Sequence, residues 1–412
     1  MDKLLKWNIR KRLSLMMVTL FTLSILSSLV FTVPMAGASS EWESKYAKKE
    51  VKNPQECISC QNENIEPSLQ REISPAIISQ LEFSLKDHLK RDAELKHYKI
   101  IAQTIKPVSQ KLYNRKAEVI FLVEKTYLLD YPKPEDVPIL KAQISYLTEN
   151  KERLSSKALA AAKKQIEELK GELQEQISTP QSYTDSLKVT LEVDEHEIAI
   201  PGSAVVYGEL PSGEWKPLKD FNYIPSDQEI EKGAAEGLQQ TIALAEASDK
   251  VEILYTYDRI KARDYALQYT SNPTFNNCTG CNSNSTNCDQ DKTKYNNQYQ
   301  CWCCGDCANY VSQAQKDGGM TTTSTWQPYT HAWIRVFEQE QYMKNTTGRW
   351  VSTNYQNCVA GYPIVVPSGD GHLVMVTLNN GSEIRFSAHT NDKKDRPWYW
   401  PSGARYYMIV NV

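Results

Sequence analysis

Apolar and polar positions change period several times along the chain, and each change marks an element. From Pro67 to Tyr113 the apolar residues Ile77, Ile78, Leu81, Phe83, Leu85 and Leu89 fall at helical spacing. Ala117 to Leu129 (AEVIFLVEKTYLL) is rich in β-branched and aromatic residues and predicts a strand. Lys151 to Gln176 consists of strong helix formers, with Leu154, Leu159, Ile166 and Leu169 at coiled-coil-like intervals and Glu/Lys pairs on the other faces. Too few turns are present to sustain a coiled coil, so the segment reads as a solvated helical hairpin. Ser186 to Tyr207 alternates as strands around a turn near Pro201-Gly202, and Ile230 to Ala247 reads as a helical connector. Helices followed by antiparallel strands predict a small α+β accessory domain over 67–228, with a helical insert at 138–180. A connector at 229–250 and a second domain at 251–412 complete the organisation.

The N-terminus has the pattern of an export signal. Lys3, Lys6, Arg10, Lys11 and Arg12 precede an apolar run from Leu13 to Val33, and Ala36 and Ala38 supply small residues for cleavage after Ala38. The run is also long enough for an uncleaved anchor. Residues 1–38 therefore predict a signal peptide and a secreted or cell-wall-associated protein, and no later segment is apolar enough to span a membrane after signal cleavage. Residues 39–66 read as a polar linker carrying Cys57 and Cys60. A length of 412 residues allows two or three cores. The net charge of −3 offers no basic face, which argues against a nucleic-acid partner. The chain reads as a monomer.

Ten cysteines change the picture, because most crowd one Asn/Ser-rich stretch that begins at Cys278. Apart from Cys307 they are Cys57, Cys60, Cys278, Cys281, Cys288, Cys301, Cys303, Cys304 and Cys358. Export favours disulfides among them. The alternative is zinc held by the pairs Cys278-x-x-Cys281 and Cys304-x-x-Cys307. Cys307 differs from the rest in opening a predicted helix, Ala308 to Gln315, which Gly318-Gly319 ends with a left-handed cap. At that helix N-terminus the free N–H groups and the dipole favour a thiolate and an oxyanion.

A thiol nucleophile needs a base. His372 opens the predicted strand Gly371 to Thr377, and His389 closes the strand Glu383 to His389. Asn380-Gly381 between them predicts a two-residue hairpin turn. If Asn379 pairs with Ser382, the register sets His372 directly opposite His389 on one face. His331 starts a predicted helix and reads as structural, and the isolated His88, His97 and His196 read as solvated surface residues.

Taken together, these residues resemble the bacterial putative amidase domain family, papain-like and related to CHAP-type cell-wall amidases. The resemblance runs from about Tyr257 to Asp395. It is carried by Tyr257 to Ala266, Gly305-Asp306-Cys307-Ala308-Asn309-Tyr310-Val311-Ser312-Gln313 with Gly318-Gly319, Trp333, Gly371 to Thr377, and Ser387 to Asp392. The resemblance implies an α+β, papain-like cysteine hydrolase domain, in which the helix bearing the nucleophile packs on an antiparallel sheet. It implies Cys307 as nucleophile, His372 as base, and His389 as the orienting residue, with Asn391 the alternative. The implied reaction is cysteine amidohydrolysis through a thioester, on peptidoglycan peptides or other small acyl-amino compounds, with no cofactor or metal. The competing readings are a non-catalytic cell-wall binding module with Cys307 locked in a disulfide or zinc site, and a structural protein organised by the 151–176 helix.

Overall fold

The computed structural model describes residues 72–221, 223–247, 257–272, 292–302, 305–367, 371–399 and 403–410. The chain divides into two compact units, 1–56 and 57–412, and every described residue lies in the second. The expected signal peptide (1–38), the linker (39–66) with Cys57 and Cys60, and Cys278, Cys281, Cys288, Cys303 and Cys304 lie outside the described residues.

Helix α1 (Pro75–Leu95) begins where Ser74 accepts a hydrogen bond from the Ile77 N–H and Pro75 needs no partner for its nitrogen. The stripe Ile77, Leu81, Leu85 and Leu89 is buried as expected, while Phe83 lies off it and is 73% exposed. The helical expectation for 67–113 fails beyond Leu95, because Tyr98–Tyr113 is strand β1. Ile100, Ile101, Thr104, Ile105 and Val108 are β-branched, and Pro107 is incompatible with a helix interior.

Strand β2 (Lys116–Leu129) buries every second residue from Ala117 to Leu129. With β3 (Gln181–Glu192), β4 (Val205–Glu209) and β5 (Trp215–Pro217) it forms an antiparallel sheet in the order β1-β2-β3-β4-β5. Helix α1 covers Val119, Phe121, Val123 and Leu187. Further along the same face, α2 (Pro138–Asn150), α3 (Ser156–Ser178) and α4 (Asp227–Ala247) pack around Tyr127, Leu129 and Tyr183. Helix α3 buries Ala158, Ala161, Ala162, Ile166, Leu169 and Leu173, so the solvated hairpin is in fact a core helix. Helix α4 is likewise more than a connector: a Cβ on Gly237 would meet the Asn357 side chain at 2.5 Å, so the helix sits hard against the second half of the chain.

The second half carries α5 (Arg259–Gln268), α6 (Cys307–Asp317), α7 (His331–Ile334) and α8 (Val336–Gln341). Its strands are β6 (Trp350–Thr353), β7 (Pro363–Val366), β8 (His372–Asn379), β9 (Ile384–Ala388), β10 (Lys393–Pro397) and β11 (Arg405–Ile409), in the antiparallel order β10-β9-β8-β7-β11-β6. Val365, Leu373 and Met375 pack on α6, Trp326 and Trp333. Ile364, Val366, Val374, Val376 and Phe386 form a separate core on the opposite face with Trp398. The described architecture is thus α+β with two antiparallel sheets. Among the described residues no helix is long and apolar enough to cross a membrane.

Candidate active site

Helix α6 is the buried spine of the second half, with every residue from Cys307 to Gln315 inaccessible. It ends as its sequence predicts: Gly319 adopts φ 96°, and the Met320 N–H bonds back to the Gln315 carbonyl. Its start is unusual. Asp306 precedes the first turn, yet its side chain makes no capping bond to the helix. One carboxylate oxygen accepts from the Trp302 N–H (3.0 Å) and from Asn309 Nδ2 (2.8 Å), and the other lies 2.6 Å from His389 Nδ1. The helix N–H groups that a capping carboxylate would occupy are left for other work.

Cys307 carries a free thiol and is 6% exposed. Its sulfur receives hydrogen bonds from the N–H groups of Leu373 and Ala308 and from the Thr390 hydroxyl. Burial nevertheless dominates and pushes the thiol up to about 11, against those donors and with Asp306 adding to the rise. The expectation of a thiolate stabilised by the helix terminus is therefore corrected: the resting group is a neutral thiol, because desolvation outweighs the three donors.

The hairpin register also differs from expectation. Asn379 pairs with Ile384, which leaves four residues in the turn, and a bulge at Thr377 shifts the strands so that Met375 faces Ser387. The wider turn arises because Asn380 Oδ1 accepts from the Glu383 N–H, while Glu383 is drawn to Lys96 at 2.7 Å. Continuing the offset of Met375 and Ser387 towards the open end places Thr390, not His389, across from His372. By strand alternation His372 shares the face of Val374 and Val376, while His389 lies on the α6 face. The two imidazoles are not partners.

Each histidine has its own environment. His389 is 1% exposed, with Nδ1 against Asp306 and Nε2 2.6 Å from the Tyr269 carbonyl. A carbonyl only accepts and an ionised carboxylate only accepts, so both ring nitrogens donate and the ring is an imidazolium. It is stacked on Tyr310, with Tyr295 4.1 Å away on a tilted contact. Burial opposes the charge, but the hydrogen bond and charge of Asp306, then Asp392 and the Tyr269 carbonyl, hold His389 above its ordinary value. His372 is pushed the other way, down to about 4, first by burial and then by the charge of Lys393. Its Nε2 is buried without a hydrogen-bond partner. Asn391, the other orienting candidate, reaches the carbonyl of Pro211 at 3.5 Å rather than the site. His331 is exposed on its short helix.

Sequence reasoning passed over Asp306 and Thr390. Asp306 was legible only as a turn residue, since nothing along the chain signals that it pairs with a histidine 83 positions away. Among the described residues no cluster suited to a metal ion is present.

This geometry coincides with one recognised domain. Residues 256–410 match the putative amidase domain family. The domain spans α5 to β11 and so contains the whole of the site. The chain is also 29% identical over 118 residues to the uncharacterized protein YjcM of Bacillus subtilis strain 168; the match covers 25% of this chain and 29% of that protein. The chain thus covers less than a third of that relative's length. No solved structure matches.

Proposed function

We propose that the amidase domain is a cysteine amidohydrolase of papain-like fold, with Cys307 as nucleophile and His372 as base. The observation that carries this is the free Cys307 thiol at the start of α6, with backbone N–H groups aimed at its sulfur. Of the two buried histidines, His389 has both nitrogens committed to acceptors, whereas His372 Nε2 has no partner. His372 therefore has the free acceptor, and serving Cys307 requires its ring, at the first residue of β8, to turn from the face of Val374 towards α6. His389 is a positioning residue that ties the start of α6 to the end of β9.

In the reaction the sulfur attacks the amide carbonyl carbon as the thiol proton passes to His372, once its ring has turned to the α6 face. With the thiol pushed up to about 11 and the imidazole down to about 4, transfer accompanies attack rather than preceding it. The N–H groups of the first turn of α6 that have no helical partner receive the developing oxyanion. The C–N bond then breaks, the amine leaves with the proton, and water hydrolyses the thioester to the acid and the free thiol.

The substrate class is a peptidoglycan peptide or a related acyl-amino compound, met outside the cell after export by the 1–38 signal peptide. Exported in this way, the remaining clustered cysteines would form disulfides. The test is hydrolysis of muropeptides or model amides by the wild type, Cys307→Ala and His372→Ala, with unfolding measured in parallel. Both variants are expected to be folded and inactive, and a Cys307→Ala protein that still cleaves overturns the assignment. A non-catalytic binding module predicts muropeptide binding without turnover in the wild type.

A further inference from the structure

Thr390 is the residue whose backbone is least at ease near the site. Its φ is +85°, a left-handed conformation that is a genuine outlier for a β-branched side chain. Such strain persists only where neighbouring contacts impose it, and it clusters at functional sites. The contacts here are specific. The Asp306 N–H donates to Thr390 Oγ1 at 3.0 Å, occupying the hydroxyl as an acceptor. The hydroxyl hydrogen is then directed to the Cys307 sulfur, to which Thr390 is hydrogen-bonded. Leu373, across the open end of the hairpin, supplies its N–H to the same sulfur. The sulfur thus sits in the mouth between β8 and the residue just beyond β9.

We propose that Thr390 is a catalytic residue of this site: its hydroxyl, held in a strained turn by Asp306, donates to the Cys307 sulfur and stabilises the charge that develops there. The role rests on Cys307 being the nucleophile. It explains why the strained turn lies where it does, because relaxing φ would swing the hydroxyl off both the Asp306 N–H and the sulfur. It also assigns the buried Asp306–His389 pair a purpose. That pair fixes the residue before the nucleophile and the residue before Thr390 to one another, so donor and sulfur are positioned by one rigid clamp.

The experiment is the rate at which iodoacetamide captures Cys307 in the full chain at a fixed mildly alkaline pH, read by peptide mass spectrometry. That readout separates Cys307 from Cys358, the other free thiol among the described residues, and needs no substrate. Only the thiolate reacts, so a lost donor appears as slower labelling. Thr390→Val keeps the shape and removes the hydroxyl, and it should slow capture about tenfold, the effect of one unit in thiol pKa. Thr390→Ser should label within about twofold of wild type. Thr390→Ala is the second hydroxyl-free variant and should match Val, which keeps the test decisive if Val destabilises the fold. Wild-type labelling in both hydroxyl-free variants, or a Ser variant as slow as Val, overturns the role of Thr390. Failure of the nucleophile assignment itself appears separately, as hydrolysis that survives Cys307→Ala.

Discussion

Replacing Asp306 with Asn removes the negative partner of a buried cation while preserving shape. The wild-type pair is 2.6 Å apart, with the two side chains 2% and 3% exposed, so solvent screens it little. Breaking a buried ion pair from one side costs about 3–5 kcal/mol, because the remaining charge is left uncompensated. The Asn carbonyl can still accept from the Trp302 N–H and Asn309 Nδ2, which places the expected cost near the lower end, about 3 kcal/mol. The cost must depend on pH in a defined direction. His389 is held above its ordinary value when folded, so the pair's contribution is complete below about pH 6.5 and is lost as pH rises through the raised folded value. In Asp306→Asn burial is left as the larger influence, and the ring sheds its proton instead. The difference in stability between wild type and variant should therefore be largest near pH 5.5 and shrink towards pH 9 or so. Urea unfolding of both proteins across that range, compared at equal m-value, measures it. A difference that is flat with pH, or below about 0.5 kcal/mol at the acidic end, refutes the imidazolium–carboxylate assignment.

Three further outcomes follow from the packing. Gly361 has φ +85° and lies where a Cβ would come within 2.0 Å of the Arg259 carbonyl oxygen, so Gly361→Ala should cost about 3 kcal/mol or more and lower Tm by at least about 6 °C; an unchanged melting curve contradicts the close approach. Lys96 sits 2.9 Å from Asp92 and 2.7 Å from Glu383, and Lys96→Met removes the cation they share while leaving Glu383 its Arg385 and Asp92 its Lys125, with an expected loss of about 3 kcal/mol in denaturant unfolding; a loss below about 1 kcal/mol shows that the network is dispensable. A chain beginning at residue 251 deprives Glu383, Arg385, Lys393 and Arg396 of Lys96, Tyr127, Glu209 and Asp185. It should show no sharp unfolding transition, and a cooperative one would mean that the second sheet is self-sufficient.

Much of the local structure was legible in the sequence because it depends on local chemistry. The Gly318-Gly319 stop, the β2 alternation and the apolar stripe of α1 appear where periodicity and turn residues put them. The helix bearing Cys307 was legible for the same reason. What failed was decided at long range. The Asn380-Gly381 turn widens because Glu383 answers Lys96, some 287 residues earlier in the chain, and one bulge then separates His372 from His389. The thiol's protonation was misjudged because the helix terminus is visible in sequence, whereas the burial that outweighs it is not. Helix α3 looked solvated because its charged faces dominate the composition, while its alanines form the buried stripe.

The β8–β9 hairpin joins the two sheets physically as well as topologically. Its closed end packs against the core that α2, α3 and α4 form on the first sheet, where a Cβ on Gly381 would meet Ile230 and Ile139. There Asn380 Nδ2 donates to Tyr98 Oη (3.0 Å) and Gln176 Oε1 (3.2 Å), and Arg385 lies over the rings of Tyr127 and Tyr183. Its open end holds the Cys307 sulfur. The neighbouring strand repeats the arrangement: Lys393 is 2.7 Å from Glu209 of β4, and Lys393 is the charge that depresses His372. Glu209 is the partner of the Lys393 whose charge depresses His372, so a residue of the first sheet borders the surroundings of His372. An accessory layer that only docked the domain would need apolar contacts. One that buries four charged residues of the hairpin and its neighbouring strand at a desolvation cost specifies their register, and register is what brings Leu373 and Thr390 to the same sulfur.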